Sequence, residues 1–292
     1  MKFTKANSKF SIDFVILAIA ILAISTSGPL ITVTAAPAIA IAFWRCFLGA
    51  VATAPFAFKN GLRNINRKTI TTSISAGLLL GIHFAVWIPS LRFTTVAAST
   101  AMVATQPAWA AIIAKIRGES FPNKVWFGIF VALLGAVLLT GTDFSLDRRA
   151  VIGDLLALLG AIFAALYVTV GSSARTKLTT AQYTVIAYFA AAFALLVLAL
   201  ITGNNLTGFR RQAWFYIFLL TLLAQILGHT LFNITLRSLS ATVVSMGILF
   251  EMPGSTIIAA LAIGQVPPWQ TIPAIVLLMI GMFFVVTGYK TK

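Results

Sequence analysis

Apolar runs of about twenty residues recur along this chain from Phe14 to Gly288, separated by short polar or glycine- and proline-rich breaks. A run of that length crosses the hydrocarbon core of a bilayer as an α-helix. In lipid every backbone N–H and C=O must be satisfied within the structure, so a single spanning segment is helical. Ten runs are assigned, at 14–33, 36–58, 72–91, 94–116, 123–141, 152–171, 179–202, 212–235, 240–264 and 268–288. Lys59-Asn60-Gly61, Gly118-Glu119, Gly203-Asn204-Asn205 and Pro267-Pro268 mark breaks that apolar helices would not contain. The connections at 92–94 and 236–240 are so short that the helices they join must be neighbours. The expected fold is an all-α integral membrane protein of ten transmembrane helices.

Composition agrees. Of the 292 residues 60% are hydrophobic and 9% charged, with a mean hydropathy of +0.99, whereas soluble domains carry about 25% charged residues. This excludes a soluble enzyme, a disordered chain and a nucleic-acid-binding domain, despite a net charge of +15. The cations report topology instead. Ten spans put both termini on one side, and 15 of the 21 Lys and Arg residues fall on that side. Five fall on the other, and Arg45 lies within a helix. Cytoplasmic loops are the Lys- and Arg-rich ones, so both termini are expected in the cytoplasm of a multi-pass protein of the cell (plasma) membrane. Lys2, Lys5 and Lys9 before the first run imitate a signal peptide. The run is longer than an ordinary signal core and more spans follow, so it is read as a retained helix. Cys46 has no partner for an intrachain disulfide and is read as a small buried hydrophobe.

The chain repeats itself at an offset of 145 to 147 residues. Leu91-Arg92 matches Leu236-Arg237, Pro107 matches Pro253, Gly118-Glu119 matches Gly264-Gln265, and Leu139-Thr140-Gly141 matches Val286-Thr287-Gly288. Each unit then holds five spans, and an odd number forces the second to insert upside down. The expected organisation is a first unit at 14–141, a linker at 142–151 and an inverted second unit at 152–288. Inverted repeats are a feature of secondary transporters, with the binding site near the midplane between the halves.

The stretch Pro107-Ala-Trp-Ala-Ala-Ile-Ile-Ala-Lys-Ile-Arg-Gly-Glu119, followed by Gly128-Ile-Phe-Val-Ala-Leu-Leu-Gly-Ala-Val-Leu-Leu-Thr-Gly141, resembles the end of an EamA repeat of the drug/metabolite transporter superfamily. Trp44-Arg45, Gly153-Asp154-Leu155-Leu156-Ala157-Leu158 and Glu251-x-Pro253 fit the same pattern. The resemblance covers both repeats and implies transport, with export of amino acids and related metabolites among the family's activities. Gln265 departs from it by standing where the first repeat has Glu119.

Charges within a membrane helix are costly and usually face a cavity or a partner. Arg45 lies about 13 Å into the second helix, and Glu251 at similar depth in the ninth. Arg45 is a candidate for a substrate carboxylate, and Glu251 for a substrate amine or a coupling proton. The alternatives are a structural ion pair between them, or snorkelling of Arg45 to the interface. His83 and Trp87 share a helix face, as do Gln225, His229 and Asn233. These stripes suit a cavity lining, or equally hydrogen bonds between helices. Ser99, Met102 and Gln106 recur at helical spacing ahead of Pro107. Pro29, Pro107 and Pro253 are candidate midplane breaks, since proline removes a backbone donor. Gly77/Gly81, Gly128/Ala132/Gly135 and Gly281/Gly288 suit close helix packing.

No Walker A loop, HExxH, GxSxG or cysteine cluster is present. No catalytic residue, metal site or cofactor is therefore expected. The leading reading is a secondary transporter, an exporter of small metabolites, driven by protons or by exchange. Its partners are a small-molecule substrate, the lipid bilayer and a second copy of the chain if it dimerises. The alternative is a membrane-embedded enzyme or a non-transporting assembly protein.

Overall fold

The computed structural model describes residues 3–59, 61, 65–235, 247 and 249–288, and the side chains among them except those of 3–11, 143–146 and 233. All regular structure in these residues is helical. The chain runs through α1 (Phe3–Ser25), α2 (Ser27–Val33), α3 (Ala38–Lys59), α4 (Arg67–Ser90), α5 (Val96–Val103), α6 (Gln106–Ile116) and α7 (Asn123–Leu146). It continues through α8 (Ala150–Arg175), α9 (Thr180–Thr202), α10 (Arg211–Leu220), a π-helix (Thr221–Gly228) and α11 (His229–Thr235). The last helices are α12 (Glu251–Ile263) and, after a 3₁₀ turn at Trp269–Thr271, α13 (Ile272–Gly288).

Among the described residues nine helical stretches are long and apolar enough to cross a membrane: Ile12–Val33, Ala38–Lys59, Arg67–Ser90, Val96–Ile116, Asn123–Thr142, Ala150–Arg175, Thr180–Thr202, Arg211–Phe232 and Trp269–Gly288. The shorter apolar helix Glu251–Ile263 covers the end of the run expected at 240–264. The 236–240 connection, with Leu236 and Arg237, lies outside the described residues. Several helices outrun the apolar windows: α4 starts at Arg67 rather than near 72, and α8 reaches Arg175. Polar side chains are compatible with helix once it has left the hydrocarbon, so hydropathy marks the lipid-exposed length and not the helix end. Within 142–151 only residues 147–149 are non-helical.

Local sequence sets the helix ends. At the start of α9, Thr179 Oγ1 accepts from the Gln182 backbone N–H at 3.3 Å and Gln182 Oε1 from that of Thr179 at 2.9 Å, a reciprocal capping box. Gly203 ends α9 and Gly264 ends α12 in the left-handed conformation, φ +67° and +68°. At the start of α5, Thr95 Oγ1 accepts from the Ala98 N–H, and Gln265 Oε1 from the Val96 N–H at 2.9 Å. A neutral amide oxygen thus caps this helix.

Three interruptions carry proline. The path breaks at Thr26 between α1 and α2, at Ala104-Thr105 between α5 and α6, and at Phe250 before α12. Pro29, Pro107 and Pro253 each lie in the first turn after a break. Proline is tolerated there because the first-turn N–H groups have no intrahelical partner.

Helices meet most extensively as α4 on α8, α7 on α13, α3 on α9 and α4 on α9. The π-helix and α11 pack on α1, α5 and α6 on α8, and α12 on α1, α2 and α5. Small residues allow the closest approaches. A side chain at Gly77 would strike the Ala187 carbonyl, and one at Gly281 the Ala132 backbone. A Cβ at Gly128 would sit 2.7 Å from the Gly281 carbonyl oxygen. Arg92, in the α4–α5 turn, donates to the carbonyls of Thr34 (2.7 Å) and Ala36 (3.1 Å) just beyond α2, and to that of Thr32 (3.4 Å) in its last turn, where helix carbonyls lack intrahelical partners.

Candidate functional site

Arg45, in the second turn of α3, is 1% exposed. Its Nε and Nη2 groups both donate to Gln225 Oε1, at 3.0 and 2.7 Å. Its guanidinium carbon lies 4.1 Å from the centroid of the Phe84 ring and 6.0 Å from that of Trp87. A cation over an aromatic face is attracted by the ring quadrupole. Arg45 Nη1 is buried and has no hydrogen-bond partner among the described residues. The ion is therefore held by an amide and two rings, all of them neutral.

Helix α4 supplies those rings with an i, i+3 pair, Phe84 and Trp87, and adds His83. The His83 and Trp87 rings stack, with centroids 5.6 Å apart and planes 15° apart. His83 Nδ1 lies 2.8 Å from the Gly160 carbonyl oxygen of α8. A carbonyl only accepts, so Nδ1 carries the proton and donates. Gly160 also makes room, since a Cβ there would stand 3.1 Å from Trp87 Cβ. Trp87 Nε1 is buried without a hydrogen-bond partner among the described residues.

Trp87 also lines a cavity of about 100 Å³. Trp87, Thr100, Gln106, Pro107, Glu251 and Met252 line it. The α5–α6 break puts Gln106 at the start of a new helix, and the break at Phe250 puts Glu251 at the start of α12. The Glu251 carboxyl and Arg45 interact through space, but no ion pair joins them among the described residues.

The sequence candidates thus fall into two groups that share Trp87: Arg45, His83 and Gln225 in one, Gln106, Pro107 and Glu251 in the other. His229, at the start of α11, is half-buried and within electrostatic range of Arg45 and His83. The side chain of Asn233 lies outside the described residues. Pro29 is buried in α2, away from these contacts, beside Gly28, which abuts Val96.

Two expectations change. The Gln225, His229 and Asn233 stripe assumes an α-helix, but Gln225 lies in a π-helix, whose wider turn breaks the i, i+4 register. The stripe of Ser99, Met102 and Gln106 is cut by the bend at Ala104-Thr105: Ser99 and Met102 are buried, Ser99 sharing a 2.7 Å hydrogen bond with Ser90, and only Gln106 reaches the cavity. Trp44 lies outside the cluster and donates Nε1 to the Leu206 carbonyl at 2.6 Å. Sequence reasoning missed Phe84 and Gly160. The signals were the i, i+3 spacing of Phe84 and Trp87 and the small-residue face of Ala157, Gly160, Ala161 and Ala164.

The profile of the EamA-like transporter family matches residues 9–141 and 151–287. An uncharacterized transporter of Archaeoglobus fulgidus is 22% identical over 248 residues, covering 83% of this chain and 86% of its own. The uncharacterized transporter YyaM of Bacillus subtilis is 27% identical over 264 residues, covering 86% and 82%. A solved crystal structure that is 18% identical superposes with a TM-score of 0.65, covering 94% of this chain and 97% of its own.

Proposed function

This chain belongs to the EamA-like transporter family, and from that premise we propose that it is a secondary transporter exporting small metabolites with an acidic group, such as amino acids, together with related amines. Arg45 takes the cargo's carboxylate. Glu251, in the cavity that Trp87 also lines, takes its amine or the coupling proton. Two inverted units, 14–141 and 152–288, joined through 142–151, expose this site to one side of the cell membrane at a time, and both termini are cytoplasmic.

One observation carries the reading: among the described residues, a fully buried guanidinium held only by neutral groups, with Nη1 unmatched. Burying a charge without a counter-ion is costly, and such an ion in a membrane helix marks a functional site by default. The packing supports the inverted units, because exchanging the halves reproduces it. The second and seventh spans pair (α3 and α9), as do the fifth and tenth (α7 and α13) and the fourth and ninth (α5 and α12). The third pairs with the sixth (α4 and α8) as the eighth pairs with the first (the π-helix and α11 with α1). An enzyme is disfavoured because the site offers neither a nucleophile with its base nor a metal cage among the described residues.

The test is counterflow in liposomes, with purified protein, the twenty amino acids and their decarboxylated amines, with and without a pH gradient. Saturable counterflow of the acids is expected. A folded protein that carries nothing in this panel overturns the cargo assignment, and turnover of a panel compound into a product overturns transport itself.

A further inference from the structure

An arginine kept for an incoming carboxylate must be held by something when cargo is absent. We propose that Gln225 is a displaceable stand-in for the cargo's carboxylate, set on Arg45 by the π-helical turn that carries it; this rests on the reading of Arg45 given above.

Gln225 Oε1 accepts two N–H groups of one guanidinium, at 3.0 and 2.7 Å. Both donors converge on one oxygen, along the Nε–Nη2 edge that a carboxylate can take with two oxygens, one bond to each. The amide fills that place without neutralising the charge, so an arriving carboxylate exchanges a neutral acceptor for an anionic one. A built-in carboxylate would form an ion pair, strong in a low-dielectric interior, that cargo would have to break. Gly49, one turn along from Arg45, leaves room for the amide arm: a Cβ there would sit 3.0 Å from Gln225 Cγ.

The helix is built irregularly at this point. Gln225 lies within the eight-residue π-helix Thr221–Gly228. In the first half the corresponding span is a continuous α-helix of 24 residues, Arg67–Ser90, ending at Leu91-Arg92. In the second half a ten-residue α-helix, the π-helix and a seven-residue α-helix take its place. A π-turn bonds i to i+5 and so absorbs one extra residue in an α-helical path. One residue is about 100° of rotation at 3.6 residues per turn. The π-turn therefore changes which way position 225 faces relative to a regular α-helix.

Gln225→Glu and Gln225→Leu test this in the full-length protein by thermal unfolding and by counterflow of the acid and amine panel. Glu should lock Arg45, raising the melting temperature and raising KM for acids about tenfold or more. Leu should remove the competing acceptor and lower KM for acids severalfold, with amines unaffected by either change. Deleting Leu222 should abolish the effect of a further Gln225→Glu change on KM. A scaffold role predicts a lower melting temperature for both variants with KM unchanged. That result, or a lowered melting temperature for Gln225→Glu alone, overturns the proposal. Transport of amines only also overturns it while leaving the transporter reading intact. If the folded wild type carries nothing in the panel, the cargo assignment of Arg45 falls, and this inference with it.

Discussion

Replacing Arg45 separates a charge kept for cargo from one kept for stability. Arg45→Met preserves much of the volume and removes the ion. The fold loses two hydrogen bonds to Gln225 Oε1 and the contact with the Phe84 face at 4.1 Å. The orphaned amide oxygen costs about 1–3 kcal/mol, and the lost cation–π contact about 0.5–2 kcal/mol. Against these stands relief from burying an ion without a counter-ion. Exchanges of buried ionic groups for well-packed apolar ones are often neutral or stabilising by about 1–4 kcal/mol. The opposing terms are of similar size, so Arg45→Met should fold with a net change within about 2 kcal/mol. Arg45→Lys keeps the charge but offers a point donor in place of the planar fork. Loss of one charge-assisted hydrogen bond to the cargo, about 1.5–3 kcal/mol, predicts a KM for acids raised roughly ten- to a hundredfold. Thermal unfolding in detergent and counterflow in liposomes read the two quantities separately. The expected result is a folded Met variant that carries no acid. A Met variant carrying acids with wild-type KM, or one that fails to fold while the Lys variant works normally, would refute the reasoning.

Glu251→Gln should leave expression and folding intact and remove the dependence of transport on the pH gradient, read by counterflow at two external pH values. An unchanged pH response would take Glu251 out of the coupling role. Gly281→Val should force α7 and α13 apart, since a Cβ at Gly281 strikes the Ala132 backbone and lies 2.7 Å from the Gly128 carbonyl oxygen. Overpacking of this kind costs about 1–3 kcal/mol, visible as aggregation at lower temperature when samples are heated before size-exclusion chromatography.

The spans were legible because lipid imposes its length on the chain: about twenty apolar residues between polar breaks define each helix whatever it packs against. The small-residue faces at Gly77 and Gly81, and at Gly128 and Gly281, were legible because close helix packing in a membrane selects small side chains. The partners of the buried polar groups were not. Gln225 stands 180 positions from Arg45, and Gly160 stands 77 from His83. Such pairings follow from how helices dock, which local periodicity does not encode. The π-helix was hidden for a related reason. The repeat matches begin at Leu91 and Leu236, beyond the π-helix, so they carry no trace of it. Arg45 and Glu251 attracted attention as opposite charges at similar depth, yet among the described residues no ion pair joins them, and Trp87 borders the surroundings of both.

Alternating access between the halves is tested most directly at Ala104, which lines the cavity beside Glu251. Cys46 is the only cysteine in the sequence, so a Cys46→Ala background carrying Ala104→Cys offers a single reporter. In liposomes with oriented protein, a membrane-impermeant maleimide is added to one side or the other, with and without saturating cargo. The account predicts labelling from one side at a time, with cargo shifting the balance between sides. Labelling from the same side whatever the cargo, or equal labelling from both sides at once, would contradict it.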